Sequence, residues 1–291
     1  VNSLKQILRH IRPWLSPTSQ RGYPPNDLEP EVFRQIQAVL GRQWKEVFLS
    51  RTQFTEWVEG LGDFSRLGTG PAPGASAYLD YEKYPGPLLL PEKLFEHWAT
   101  LHLLQLQPGQ TLIDIGSAAS PFPAYVREAL GLEAFSLDPD YPPGIHGFRI
   151  GAFAQSIPLP AESVDGLVLH CALDHFEGTS DTDFMAEAAR VLRPGGKLLS
   201  LPLYLSHQPA NLCDPQCWKP GIGFDSEARI HWVLHHRNRF GRIYSPQTYL
   251  SRLQNPAQKA GLQVQLLRFL PIEGIVPNSY LRYGFLASKP D

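Results

Sequence analysis

Between residues 110 and 203, apolar and polar positions follow two alternating rhythms. Thr111–Ile115, Ala134–Leu137, Phe148–Ile150, Val164–His170 and Lys197–Leu203 are short, mostly apolar runs bounded by turn residues, and they read as strands. Between them, Pro123–Leu130 and Asp181–Leu192 repeat apolar residues at helical spacing. Asp181 is placed to cap the second helix, and Pro194-Gly195-Gly196 stops it. Such alternation predicts an α/β chain with a parallel sheet covered by helices on both faces. Pro246–Ala260 continues as a helix closed by Gly261, and Gln263–Phe269 and Tyr280–Ala287 read as final strands. Residues 204–245 break the rhythm, as an inserted lid would.

Upstream the pattern is helical. Leu4, Ile7, Leu8, Ile11 and Trp14 share a face with Lys5, Arg9 and Arg12 between them, and a helix packed on the main domain or a partner explains this better than a membrane-surface helix. A proline-punctuated linker follows (Pro13, Pro17, Pro24, Pro25, Pro30), and residues 31–60 read as helix again. Residues 66–91 are rich in Gly, Pro and Tyr, so they are expected as loop, with Pro91 in the first turn of a helix running to about Leu104. The expected organisation is a helical extension and linker over 1–90, then a catalytic-sized domain over 91–291 with its lid at 204–245.

Composition narrows the partners. The chain has 291 residues, 43% of them hydrophobic and 19% charged, enough to bury a core. Its formal net charge of −2 argues against a surface built throughout for nucleic acid. Three cysteines cannot all pair with one another, which favours a reducing, cytoplasmic setting. No apolar run has the length of a membrane span and none reads as a signal peptide, while the start at Val1 suggests a removed tag or leader.

In such a sheet, ligands bind beyond the carboxyl ends of the strands, near the switch in strand order. Asp114-Ile115-Gly116-Ser117-Ala118-Ala119-Ser120-Pro121 leaves the first strand there, and Gly116 allows a tight turn against a ligand. Asp138 ends the next strand, where a carboxylate can accept from both hydroxyls of a ribose. Ile157-Pro158-Leu159-Pro160 leads through Ser163-Val164-Asp165 into the fourth strand, and Arg190-Val191-Leu192-Arg193-Pro194-Gly195-Gly196 precedes the fifth. These ordered blocks resemble the class I S-adenosylmethionine-dependent methyltransferases, in the subgroup with LPFP…SFD and RVLKPGG segments. The resemblance spans about residues 108–205, with a looser match from 244 to 289.

That resemblance implies a Rossmann-like α/β fold with a seven-stranded, mostly parallel sheet, and S-adenosyl-L-methionine as cofactor. Asp114, Gly116, Ser117 and Ala118 would face its methionine part, Asp138 its ribose, and Phe153, Ala154 and Gln155 its adenine. His170 and Cys171 follow the fourth strand, where donor and acceptor meet. Two departures stand out: Ala118 replaces a second glycine, and Ala152 and Phe153 stand where an Asp on the adenine is common. A nicotinamide dinucleotide enzyme is the rival, but Ala118 and Pro121 occupy a stretch that needs glycines for the pyrophosphate.

Methyl transfer to oxygen or nitrogen releases a proton, and His175 is the candidate base, with His170 second; a structural hydrogen bond is the plainer role for either. Asp174 and Glu177 could orient the His175 ring. Tyr78, Tyr81 and Tyr84 precede the first helix of the domain, and Tyr84 is a candidate to face the sulfonium. In the lid, Trp218, Trp232, Arg237, Arg239 and Tyr244 are candidates for acceptor binding. Its basic stretch suits a small anionic acceptor, such as a natural product or glycan, or else a homo-oligomer contact; it is too short for a nucleic-acid surface. Cys213, Cys217, His207, His231 and His235 do not form a standard zinc spacing, and no metal is expected. The alternative to an enzyme is a methyltransferase-like scaffold whose altered loop no longer binds cofactor.

Overall fold

The computed structural model describes residues 29–61, 75–78, 90–234, 237–270 and 280–291. The expected helix over 1–14, Tyr81 and Tyr84 lie outside them. In chain order the elements are α1 (Glu29–Leu40), β1 (Trp44–Phe48), α2 (Arg51–Leu61), a 3-10 turn (Ala75–Tyr78), α3 (Leu90–Leu104), β2 (Thr111–Ile115), α4 (Phe122–Leu130), β3 (Glu133–Leu137), β4 (Gly144–His146), β5 (Arg149–Gly151) and β6 (Val164–His170). A 3-10 turn (Leu173–His175), α5 (Ser180–Val191), β7 (Leu192–Leu201), β8 (Ala210–Cys213), β9 (Arg229–Trp232) and β10 (Gly241–Ile243) follow. The chain closes with α6 (Pro246–Tyr249), a π-helical stretch (Leu250–Gln254), α7 (Asn255–Lys259), β11 (Gln263–Leu270) and β12 (Tyr283–Ser288).

Nine strands form the main sheet in the order β1-β11-β12-β7-β6-β2-β3-β5-β4. Its inner strands β7, β6, β2, β3 and β5 are parallel, and β12 runs antiparallel between β7 and β11. From β2 the chain builds outward to β3 and β5, then returns to β6 on the other side of β2. That reversal opens a crevice at the carboxyl ends of β2 and β6. Both strands are mostly apolar and buried, as parallel strands covered on two faces must be. One apolar cluster contains Ile113, Leu167, Phe184 and Leu253, and the other contains Phe95, Leu112, Val126 and Val168.

Three expectations are corrected. Residues 31–60 are not one helix: Gly41, with φ +58°, ends α1, and Trp44–Phe48 pairs in parallel with Leu266–Leu270, extending the sheet. Asp181 is not an N-cap. Thr179 holds that position, and Asp181 lies within the first turn, fully buried against arginines. The main sheet has nine strands rather than the seven the resemblance implied, because β1 and the β4–β5 hairpin extend its edges, and the insertion adds β10, β8 and β9 as a separate three-stranded sheet over the crevice. Among the described residues no helix is long and apolar enough to cross a membrane.

Candidate active site

A cavity of about 1170 Å³ opens at the switch point. It exceeds the roughly 300–1,000 Å³ typical of a pocket for one small ligand, so it has room for two. Its lining unites Asp114, Gly116, Ser117, Ala118, Asp138, Phe153, Ala154, Gln155, His170, Cys171 and His175 with Trp232 and Arg239 from the lid. Arg237, Trp218 and Tyr244 are not among the lining residues. Arg237 is exposed, and the Tyr244 phenol is buried and donates to Asp181 Oδ2 at 2.9 Å.

The floor is made by backbone geometry. Gly116 sits at φ +66°, and a Cβ there would lie 2.6 Å from the Ala172 Cβ, so only glycine fits. Ala118 adopts φ +44°, keeping a left-handed turn without a glycine. Its N–H donates to Asp138 Oδ2 at 3.0 Å, and the Asp140 N–H donates to Oδ1 at 3.0 Å. Each Asp138 oxygen keeps a lone pair for a further donor. Ser117 Oγ donates to Asp114 Oδ2 at 3.1 Å, while Asp114 Oδ1 is buried without a hydrogen-bond partner. This donor and acceptor set suits a ligand with a diol and an ammonium group, as S-adenosylmethionine has.

Beyond the floor stand the two histidines. His170 is buried: its Nε2 meets Thr100 Oγ1 at 2.9 Å and its Nδ1 lies 3.4 Å from Asp114 Oδ1. His175 is half-buried, and its Nδ1 lies 2.8 Å from the Phe240 carbonyl of the lid. A carbonyl only accepts, so Nδ1 carries the hydrogen and the neutral ring keeps its lone pair on Nε2. Asp174 Oδ2 lies 3.6 Å from that Nε2.

A buried polar cluster on the far wall has no counterpart in the motif-based reading. Lys93 Nζ, on α3, donates to Glu96 Oε2 at 3.1 Å and to Cys171 Sγ at 2.7 Å. Tyr280 Oη donates to Glu96 Oε1 at 2.9 Å, and Tyr204 Oη lies 3.6 Å from Cys171 Sγ. Burial first, then the Glu96 charge, push the Cys171 thiol up to about 12 despite Lys93, so it is a protonated wall group rather than a nucleophile. Polar residues on the sheet-facing side of α3 were the available signal: Glu92, Lys93, Glu96, His97 and Thr100 interrupt an otherwise apolar face.

The insertion at 204–245 is pinned by buried charge. Arg242 reaches Asp225 Oδ2 at 2.7 Å, Asp181 Oδ2 at 3.0 Å and the Phe176 carbonyl at 2.5 Å. Arg252, from the π-helical stretch, reaches Asp181 Oδ1 at 2.7 Å. Arg239 pairs with Glu177 at 2.6 Å in a more exposed position. Cys171, Cys213 and Cys217 are free thiols, and among the described residues no group of three His, Cys, Asp or Glu side chains could hold a metal ion.

The parallel sheet with one reversed strand, the crevice at its switch point and the turn at Gly116 define the class I methyltransferase fold. Residues 133–200 match the family model described as a methyltransferase domain. That match covers 68 of the 291 residues and agrees with the Rossmann-like α/β fold described above. Among curated proteins none matches the chain. Among solved structures it is similar to the 1,6-didemethyltoxoflavin-N1-methyltransferase of Burkholderia thailandensis, with 17% identity, 89% of this chain and 90% of that one covered, and a TM-score of 0.45. It is similar to Haemonchus contortus phosphoethanolamine N-methyltransferase 2, with 14% identity, 80% and 61% covered and a TM-score of 0.43. A protein of Anabaena variabilis assigned as a methyltransferase of an antibiotic biosynthesis pathway shares 24% identity over 37% of this chain, with a TM-score of 0.31. The chain spans 45% of the length of that protein.

Proposed function

We propose that the protein methylates a small-molecule oxygen or nitrogen acceptor, working in the cytoplasm, where its three free thiols stay reduced. The observation that carries this reading is one cavity holding the Gly116 turn, the Asp138 carboxylate and the His175 imidazole together. Asp138 would hold the ribose hydroxyls, Phe153, Ala154 and Gln155 the adenine, and Asp114 the amino group. Bound there, S-adenosylmethionine supplies an electrophilic methyl group on a sulfonium. The protein contributes alignment, exclusion of water by the lid, and His175 Nε2 to take the proton that the acceptor loses. His170 is less suited to that role, because Thr100 and Asp114 face its two nitrogens.

The anionic acceptor suggested by the basic segment loses its support. Arg239 and Arg242 are matched by carboxylates, and Arg237 does not line the cavity.

Calorimetry with S-adenosylmethionine and S-adenosylhomocysteine tests the reading. Saturable binding is expected, weakened about ten- to hundredfold in Asp138→Asn, as when a hydrogen bond to a charged group is lost. Absence of binding to the wild-type protein overturns it. Once an acceptor is found, His175→Gln should lower kcat roughly hundred- to ten-thousandfold with cofactor affinity retained. An unchanged kcat assigns the proton to another group.

A further inference from the structure

The charges in the lid half of the cavity leave one remainder. Lys93 is matched by Glu96, Arg239 by Glu177, and Arg242 by Asp225 and Asp181. Asp174 has no such match among the described residues. Its side chain lines the cavity and is 14% exposed, and its Oδ1 is buried without a hydrogen-bond partner. Its Oδ2 lies 3.6 Å from His175 Nε2, too far for a hydrogen bond but close enough for both to meet one ligand atom. A largely buried carboxylate that lacks a donor is costly unless a ligand brings one to its open oxygen, Oδ2.

We propose that Asp174 binds the acceptor, and that the acceptor is an amine whose nitrogen is the atom methylated. This rests on the methyltransferase reading above. An ammonium group satisfies Asp174 Oδ2 with one N–H and presents a second N–H to His175 Nε2. On losing that proton to His175, the nitrogen uses the freed lone pair to form a bond to the methyl carbon. The electron pair of the breaking carbon–sulfur bond stays on sulfur, which becomes a neutral thioether. The nitrogen carries one positive charge before and after, and the second positive charge passes from sulfur to the imidazolium. An acid at the same place would set two negative groups side by side, and an alcohol would bring no charge to meet the carboxylate.

The test uses the full chain with S-adenosylhomocysteine bound, so failure of cofactor binding, which sinks the methyltransferase reading, is seen first and separately. Three probes share the indole ring and differ at the tip: tryptamine, tryptophol and indole-3-propionate. Trp232, Tyr204 and Phe176 supply the aromatic lining for such a ring. Calorimetry is expected to rank tryptamine about ten- to hundredfold tighter than either analogue, the range for a charged hydrogen bond. Asp174→Asn should erase that preference while S-adenosylhomocysteine affinity and melting temperature hold. The proposal is overturned if the acid or alcohol binds as well as the amine, if none of the three binds, or if Asp174→Asn keeps the preference. Should that variant not fold, the ranking on the wild-type protein decides alone.

Discussion

The two halves of the cavity are built by different physics. On the proposed cofactor side, main-chain turns do most of the positioning: Gly116 and Ala118 at positive φ, and amides of Ala118 and Asp140 on the Asp138 carboxylate. On the proposed acceptor side, largely buried ion pairs hold the insertion against α5 and the π-helical stretch. Turns are local and tolerate little change at one or two residues. Ion pairs join distant parts of the chain, and each depends on its partner. The halves should therefore fail differently, and the first prediction tests that.

Removing one partner of a buried ion network leaves an uncompensated charge, typically at a cost of about 3–5 kcal/mol. Asp181 meets Arg242, Arg252 and the Tyr244 phenol with its side chain fully buried. Asp181→Ala should lose about that much stability in urea unfolding. Arg239→Ala, which breaks the more exposed pair with Glu177, should cost no more than about 1 kcal/mol. Equal losses from the two variants would remove the distinction between a buried anchor and a surface pair.

The same contrast explains what could be read from the sequence. β2 and β6 were legible to the residue, because an apolar run bounded by turn residues is a local signal. The Gly116 turn and Asp138 were legible because they follow the strand ends directly. By contrast, β1 was hidden: its only ladder among the described residues pairs it with β11, more than two hundred residues on, and its neighbours carry helical spacing. Asp181 looked like a cap because its true partners, Arg252 and the Tyr244 hydroxyl, lie 71 and 63 residues away. Lys93 and Glu96 were missed because nothing in α3 alone shows that its polar face meets Cys171 and Tyr280.

The two halves should also titrate in separate windows. His97 lies under the cofactor side, buried, with its Nδ1 3.0 Å from the Tyr78 hydroxyl. Burial first, then His170 and Lys93, hold its pKa well below the ordinary 6.5. The unfolded chain therefore binds a proton near pH 6.5 that the folded protein refuses. This contribution is complete above that pH and drains away below it, by up to about 1.4 kcal/mol per pH unit. Asp225 in the lid behaves otherwise. Burial raises its pKa, but the Arg242 hydrogen bonds and charge, with Asn211 and Arg252, outweigh that and bring it below the ordinary 3.8. Its contribution is present above 3.8 and is lost only as pH falls through the lower folded value. Urea unfolding from pH 8 to 4 should thus show the His97 loss first, and His97→Gln should flatten it. A wild-type profile level from pH 7 to 5 would contradict this assignment.

The smallest effect concerns Ala118, the residue that departs from the glycine pattern. A non-glycine residue in the left-handed region costs roughly 1–2 kcal/mol. Replacing it by glycine removes that strain but gives the unfolded chain more freedom, worth about 0.4–1 kcal/mol in the other direction. Ala118→Gly should therefore stabilise by between about 0 and about 1.6 kcal/mol. The Ala118 amide already donates to Asp138, so the turn stands in its working shape with alanine in place. S-adenosylhomocysteine affinity in the glycine variant should therefore stay within about threefold of wild type, a change of less than about 1 kcal/mol. A gain of tenfold or more would mean that the alanine restrains cofactor binding, and the scaffold alternative would then recover weight against the enzyme.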